Sequence, residues 1–89
     1  MNSQTTPDFR KRLMALPPDV RQKARQTYKV WQKDPSHPSL HFKRINENRP
    51  LYSVRITLKW RSVGLLKEDT MIWFWIGNHQ DYDRLVNQL

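Results

Sequence analysis

Apolar residues recur along this chain first with a helical period and then with a strand period. Phe9, Leu13 and Leu16 stand at i, i+4, i+7, with Arg10, Lys11 and Arg12 between them. Thr6-Pro7-Asp8 supplies the start of that helix: a hydroxyl to cap it, a proline at the first helical position, and a carboxylate in the first turn. Pro17-Pro18-Asp19 ends this piece and opens a second. There Val20, Ala24, Thr27, Tyr28 and Trp31 share a face, and Arg21, Lys23, Arg25, Lys29 and Lys33 occupy the others. The two predict a helical hairpin over about residues 7–34 with one apolar face. Asp34-Pro35-Ser36-His37-Pro38 stops it, because proline can neither donate to a continuing helix nor fit its interior.

From Leu40 the period becomes two. Leu40, Phe42 and Arg44 alternate with His41, Lys43 and Ile45, and Asn46 to Pro50 reads as a turn. Tyr52, Val54, Ile56, Leu58 and Trp60 then alternate with Ser53, Arg55, Thr57, Lys59 and Arg61, which makes one face apolar and the other cationic. A strand from about Trp60 to Leu66, a Lys67-Glu68-Asp69 turn and the unbroken apolar run Met71 to Ile76 complete a meander. The last run is apolar on both faces, so it belongs inside the sheet, covered by helices on at least one side. After Gly77-Asn78, Tyr82, Leu85, Val86 and Leu89 are spaced for a final helix over about 79–88. The expected fold is α+β: a small antiparallel sheet of about four strands over 40–76, with the hairpin packed on it and a short C-terminal helix. Repeats, low-complexity tracts and linkers are absent.

Composition narrows this picture. At 89 residues a second core would leave each half too small to offset its conformational entropy, so residues 1–89 are expected to form a single domain. Its core must draw heavily on four Trp, three Tyr and three Phe. There is no cysteine, hence neither a disulfide framework nor a thiolate metal site. The polar start MNSQTTPDF lacks the apolar stretch of a signal peptide, and Met71 to Ile76 is too short to span a bilayer; a cytoplasmic protein is the expectation. Sixteen Lys and Arg against eight Asp and Glu give a net charge of +8, which attracts polyanions or an acidic protein partner.

The chemistry follows from what the chain has and lacks. Its carboxylates are scattered, with no HExxH pattern. His37 and His41 stand at i, i+4, but a strand at His41 removes the helical geometry that would make the spacing useful to zinc. Gly64 and Gly77, the only glycines, are too far apart for a phosphate-binding loop. No metal and no cofactor are expected. What remains is cationic: Arg55, Lys59 and Arg61 share a strand face or lie around its bend, and Lys43 or Arg44 sits on a strand expected beside it. Grouped cations suit a phosphodiester, both holding its backbone and stabilising charge on a pentacoordinate phosphorus. His79 and Tyr82, three apart at a helix start, fall on one side of that helix, at the edge of the cationic face. Metal-free RNA cleavage needs a group to take the 2′-hydroxyl proton, donors for the phosphate, and an acid or cation for the leaving oxygen. Plainer roles stand beside these: Tyr82 as a core tyrosine, His79 as a cap, and Arg55 and Arg61 paired with Asp81 and Asp83.

The strings PSLHFKRI, YSVRIT, WRSVG and IWFWIGNHQDYDRL, with the preceding helical hairpin, resemble the RelE/ParE superfamily of toxins from type II toxin–antitoxin modules. The resemblance spans nearly the whole chain and is most specific at Arg55, Trp60-Arg61 and IGNHQDY. It implies an endoribonuclease that enters the ribosomal A site and cuts mRNA without metal, by 2′-hydroxyl attack on the adjacent phosphate, and that a cognate antitoxin neutralises. Carried over, Arg55 and Arg61 match the arginines that contact the scissile phosphate, and His79 and Tyr82 the pair proposed for acid–base work and base stacking. Lys59 is a candidate phosphate contact, and Lys43 and Arg44 are candidates for binding the substrate or ribosomal RNA. The glutamate some members use has no counterpart, Glu47 lying in a turn. Other members lack the catalytic set and inhibit DNA gyrase, so a gyrase-directed toxin is one alternative. A small RNA-binding module that reads backbone only is another.

Overall fold

The computed structural model describes residues 1–89. Strands β1 (Asn2–Thr5), β2 (Lys43–Arg44), β3 (Leu51–Thr57), β4 (Trp60–Lys67) and β5 (Thr70–Asn78) accompany helices α1 (Pro7–Met14), α2 (Pro18–Lys33) and α3 (His79–Gln88). The α+β architecture agrees with the sequence pattern. The Thr6 hydroxyl accepts from the amide of Phe9, as the capping sequence requires. The unbroken apolar run becomes β5, which lies between β1 and β4 inside a sheet of order β1-β5-β4-β3-β2.

Two features depart from the periodicity. The sheet has five strands, because the polar segment Asn2–Thr5 pairs parallel with Thr70 to Trp73 of β5. Backbone hydrogen bonds make this edge strand, and alternating hydrophobicity does not mark it. The strand expected from Leu40 is the second difference. Pro38–Leu40 forms a 3-10 turn ending at His41 in the left-handed region (φ 45°), and β2 is only two residues long. Leu40 is nonetheless core, 1% exposed, so its apolar character marks burial and not extension.

The hairpin side of the sheet holds most of the core. Trp31 meets Trp73 edge to face at 5.3 Å and Phe42 at 6.0 Å, with Leu40, Val54 and Met71 closing the cluster. Leu16, Val20, Ile56 and Ile76 continue it under the other end of the hairpin. The opposite face carries a smaller cluster of Val63, Trp75 and Tyr82, sealed by Leu85 and Val86 of α3. A bulge in β5 makes this division possible. Trp73 is opposite Gly64 and Trp75 opposite Val63, which leaves Phe74 unpaired. Trp73 therefore enters the hairpin-side core while the adjacent Phe74 and Trp75 both serve the α3 side.

Candidate active site

The cationic site is built on the α3 side of β3 and β4. Lys43 is opposite Ser53, Ser53 opposite Val63, and Arg55 opposite Arg61, so these side chains share one face. Facing like charges across a sheet is unfavourable, yet neither arginine forms an ion pair; the salt bridges are His79–Asp83 and Arg84–Asp81. Asp81 and Asp83 thus do not neutralise the pair directly. Burial, and then the facing Arg55, hold the proton affinity of Arg61 below the usual arginine value, while Tyr82 and Asp83 oppose them. An anion beside the two arginines would relieve that repulsion.

The local fold fixes these groups. Ile56 is unpaired between the Arg55–Arg61 and Thr57–Trp60 pairs, a bulge that bends β3 just beyond Arg55. A single Arg61 nitrogen donates to the carbonyls of Thr57, Leu58 and Trp60, clamping the guanidinium onto the β3–β4 turn. The carbonyl of Lys59 in that turn accepts from the amide of His79 at 2.7 Å, which ties the start of α3 to the same turn. Asn78 caps α3 through its side-chain oxygen and the amide of Asp81. The whole region is thereby referenced to one hairpin.

The predicted residues divide. Arg55, Arg61 and His79 gather around this hairpin. Lys59 is exposed at its tip, next to Leu58, which is 69% exposed and outside the apolar strand face that its spacing predicts. Lys43 lies further along the same sheet face, while Arg44 folds back onto the carbonyls of Asn46 and Glu47. Tyr82 is 8% exposed, with its ring in the Val63–Trp75 cluster and its hydroxyl donating to Ser53 at 3.1 Å. A tyrosine so placed supports α3 and presents no hydroxyl at the surface. His79 is about half exposed, and its Nδ1 is 3.2 Å from the Asp83 carboxylate.

Three further residues belong to the region. Asp83 was legible as the i+4 partner of His79 on a helix. Ser53, a small polar residue on the cationic strand face, proves to be buried and to receive the Tyr82 hydroxyl. His41, whose Nε2 lies 3.4 Å from an Arg55 nitrogen, was hidden by its assignment to a strand. No three His, Asp or Glu side chains converge as metal ligands. A cavity of about 560 Å³ lies on the other side of the sheet among Phe9, Tyr28, Trp31, Ile56 and Trp73, away from Arg55 and Arg61.

A family model described as the ParE-like toxin domain matches residues 18–84. The chain belongs to the ParE-like toxin family. No curated protein sequence gives a significant match to this ParE-like toxin. Among solved structures, its fold is similar to the RelB–RelE antitoxin–toxin complex of Methanococcus jannaschii (21% identity, 90% of this chain and 95% of the other, TM-score 0.71). It is also similar to YafQ of Escherichia coli strain BL21(DE3) (9% identity, 91% and 96%, TM-score 0.70) and to a YoeB/ParE toxin of Agrobacterium tumefaciens (13%, 89% and 99%, TM-score 0.69). The ParE-like toxin shares the RelE-like fold over almost its whole length.

Proposed function

We propose that this ParE-like toxin is a ribosome-dependent endoribonuclease that cleaves mRNA in the A site without a metal ion and is neutralised by a cognate antitoxin in the cytoplasm. The observation that carries the reading is the Arg55–Arg61 pair: two arginines stand opposite each other on neighbouring strands without a carboxylate partner, beside a half-exposed histidine held by an aspartate. Arg55 and Arg61 bind the scissile phosphate and stabilise the charge that grows on it in the transition state. His79 transfers a proton, and Lys59 and Lys43 hold the flanking backbone, with Arg44 at the margin. Tyr82, anchored to Ser53, sets the height of α3 and hence of His79. The +8 charge suits both RNA and an acidic antitoxin segment; in the similar structure from Methanococcus jannaschii, RelE is held in complex with the antitoxin RelB.

The test is primer extension on a defined mRNA in a reconstituted translation reaction, with wild type, His79→Ala and Arg55→Ala, each with and without ribosomes. Cuts that require ribosomes and disappear in the variants support the reading. Intact mRNA with wild type overturns it, and inhibition of gyrase supercoiling in that case assigns the toxin to the gyrase-directed class.

A further inference from the structure

Cleavage by 2′-hydroxyl attack needs a base for the attacking oxygen and an acid or cation for the leaving oxygen, roles that two proton-transfer groups can fill. His79 supplies one. Tyr82, the other expected member, has its hydroxyl buried against Ser53. Another titratable side chain does touch the arginine pair. His41 is exposed, and its Nε2 is 3.4 Å from an Arg55 nitrogen. It also occupies the left-handed region with φ 45° and ψ 42°, which is uncommon for residues other than Gly, although Asn, Asp and His enter it more often than most. Strained residues of this kind persist where the surroundings determine them, often at functional sites.

We propose that His41 is the second proton-transfer group of the ribonuclease, acting on the Arg55 side of the phosphate while His79 acts on the Arg61 side. The proposal rests on the ribonuclease reading above and deepens it. The order across the sheet supports it: His41 against Arg55 of β3, Arg55 opposite Arg61 of β4, Arg61 opposite Gly77 of β5, and His79 two residues beyond Gly77. A guanidinium only donates, so a hydrogen bond here has His41 Nε2 as its acceptor. At 3.4 Å the contact is long, and Arg55 exchanges it readily for a phosphate oxygen. His79 Nδ1, facing a carboxylate, donates.

These assignments give each histidine a role. His41 takes the proton from the 2′-hydroxyl, the 2′-oxygen attacks phosphorus, the bond from phosphorus to the 5′-oxygen breaks, and that oxygen receives a proton from His79. The products are a 2′,3′-cyclic phosphate and a free 5′-hydroxyl. The charged and titratable groups on the elements around His41 are Arg55 of β3, Lys43 and Arg44 of β2, and His37 at the head of the 3-10 turn. The His37 Nδ1 is engaged with Ser39. Around His79 stand Asp83 and Tyr82 of α3, Arg61 of β4 and Lys59 of the turn.

The left-handed backbone provides a suitable variant. Glycine fits φ 45° better than histidine does, so His41→Gly keeps the fold while deleting the imidazole. Single-turnover cleavage by the full-length protein on preassembled ribosome–mRNA complexes is measured across pH for wild type, His41→Gly and His79→Ala, with ribosome binding and thermal unfolding in parallel. The expected result is a loss of about 10²- to 10⁴-fold in rate for His41→Gly, with binding and melting temperature kept. One limb of the pH profile disappears, and added imidazole restores activity. His41→Gly that cleaves like wild type, or that is slow while keeping both limbs and resisting imidazole, overturns the proposal. Cleavage by wild type separates the two levels: without it the ribonuclease reading falls and takes this one with it.

Discussion

Ser53 and Tyr82 share one buried hydrogen bond between hydroxyls, so removing either partner strands the other. Tyr82→Phe and Ser53→Ala should each cost about 1–3 kcal/mol in urea unfolding, and the double variant less than their sum. Additive losses would show that the two hydroxyls are uncoupled. Arg61 and Arg55 should differ in the same way that their contacts do. Arg55→Ala and Arg61→Ala should both lower single-turnover cleavage by about 10²- to 10³-fold. Only Arg61→Ala should also lower the melting temperature, because Arg61 alone is bonded to the carbonyls of the β3–β4 turn. At this scale the cationic positions were legible, since their alternation with Val54 and Ile56 put them opposite the core. Tyr82 illustrates what was not: spacing placed it on the inner side of a helix, and only packing shows that Ser53 receives its hydroxyl.

Elements were legible where an apolar pattern drove them and hidden where backbone bonding did. α1 and α2 were read from spacing and β5 from its unbroken apolar run, whereas β1 has the polar sequence NSQT and owes its place to pairing with β5. The turn after α2 was misread as strand because Leu40 and Phe42 both face the core in an irregular segment. That turn has its own pH response. The Ser36 hydroxyl, then its amide, donates to the Asp34 carboxylate and holds its pKa below the usual value, with nearby His37 assisting. A lowered folded-state pKa contributes stability that is complete above the unfolded carboxylate value and is lost as pH falls through the folded one. The melting temperature of wild type should therefore fall toward that of Asp34→Asn as the solution is acidified through that window. A constant gap between the two would refute the linkage. β5 offers a steric test: a Cβ at Gly77 would lie 2.7 Å from the Trp75 indole, so Gly77→Ala should cost about 1–3 kcal/mol and shift Trp75 fluorescence.

For the whole molecule, charge and topology set the behaviour. The logarithm of affinity for single-stranded RNA should fall linearly with the logarithm of salt concentration, and Lys43→Ala should make the slope shallower by about 0.7, the value for one lost phosphate contact. An unchanged slope would remove Lys43 from the binding face. No helix is long and apolar enough to cross a membrane. The parallel pairing of β1 with β5 bears on synthesis. Asn2 aligns with Thr70, so the first strand made waits for the last one before the sheet can close. His79 comes later still. A nascent chain consequently carries no finished arginine–histidine site until β5 and the start of α3 have both emerged from the ribosome.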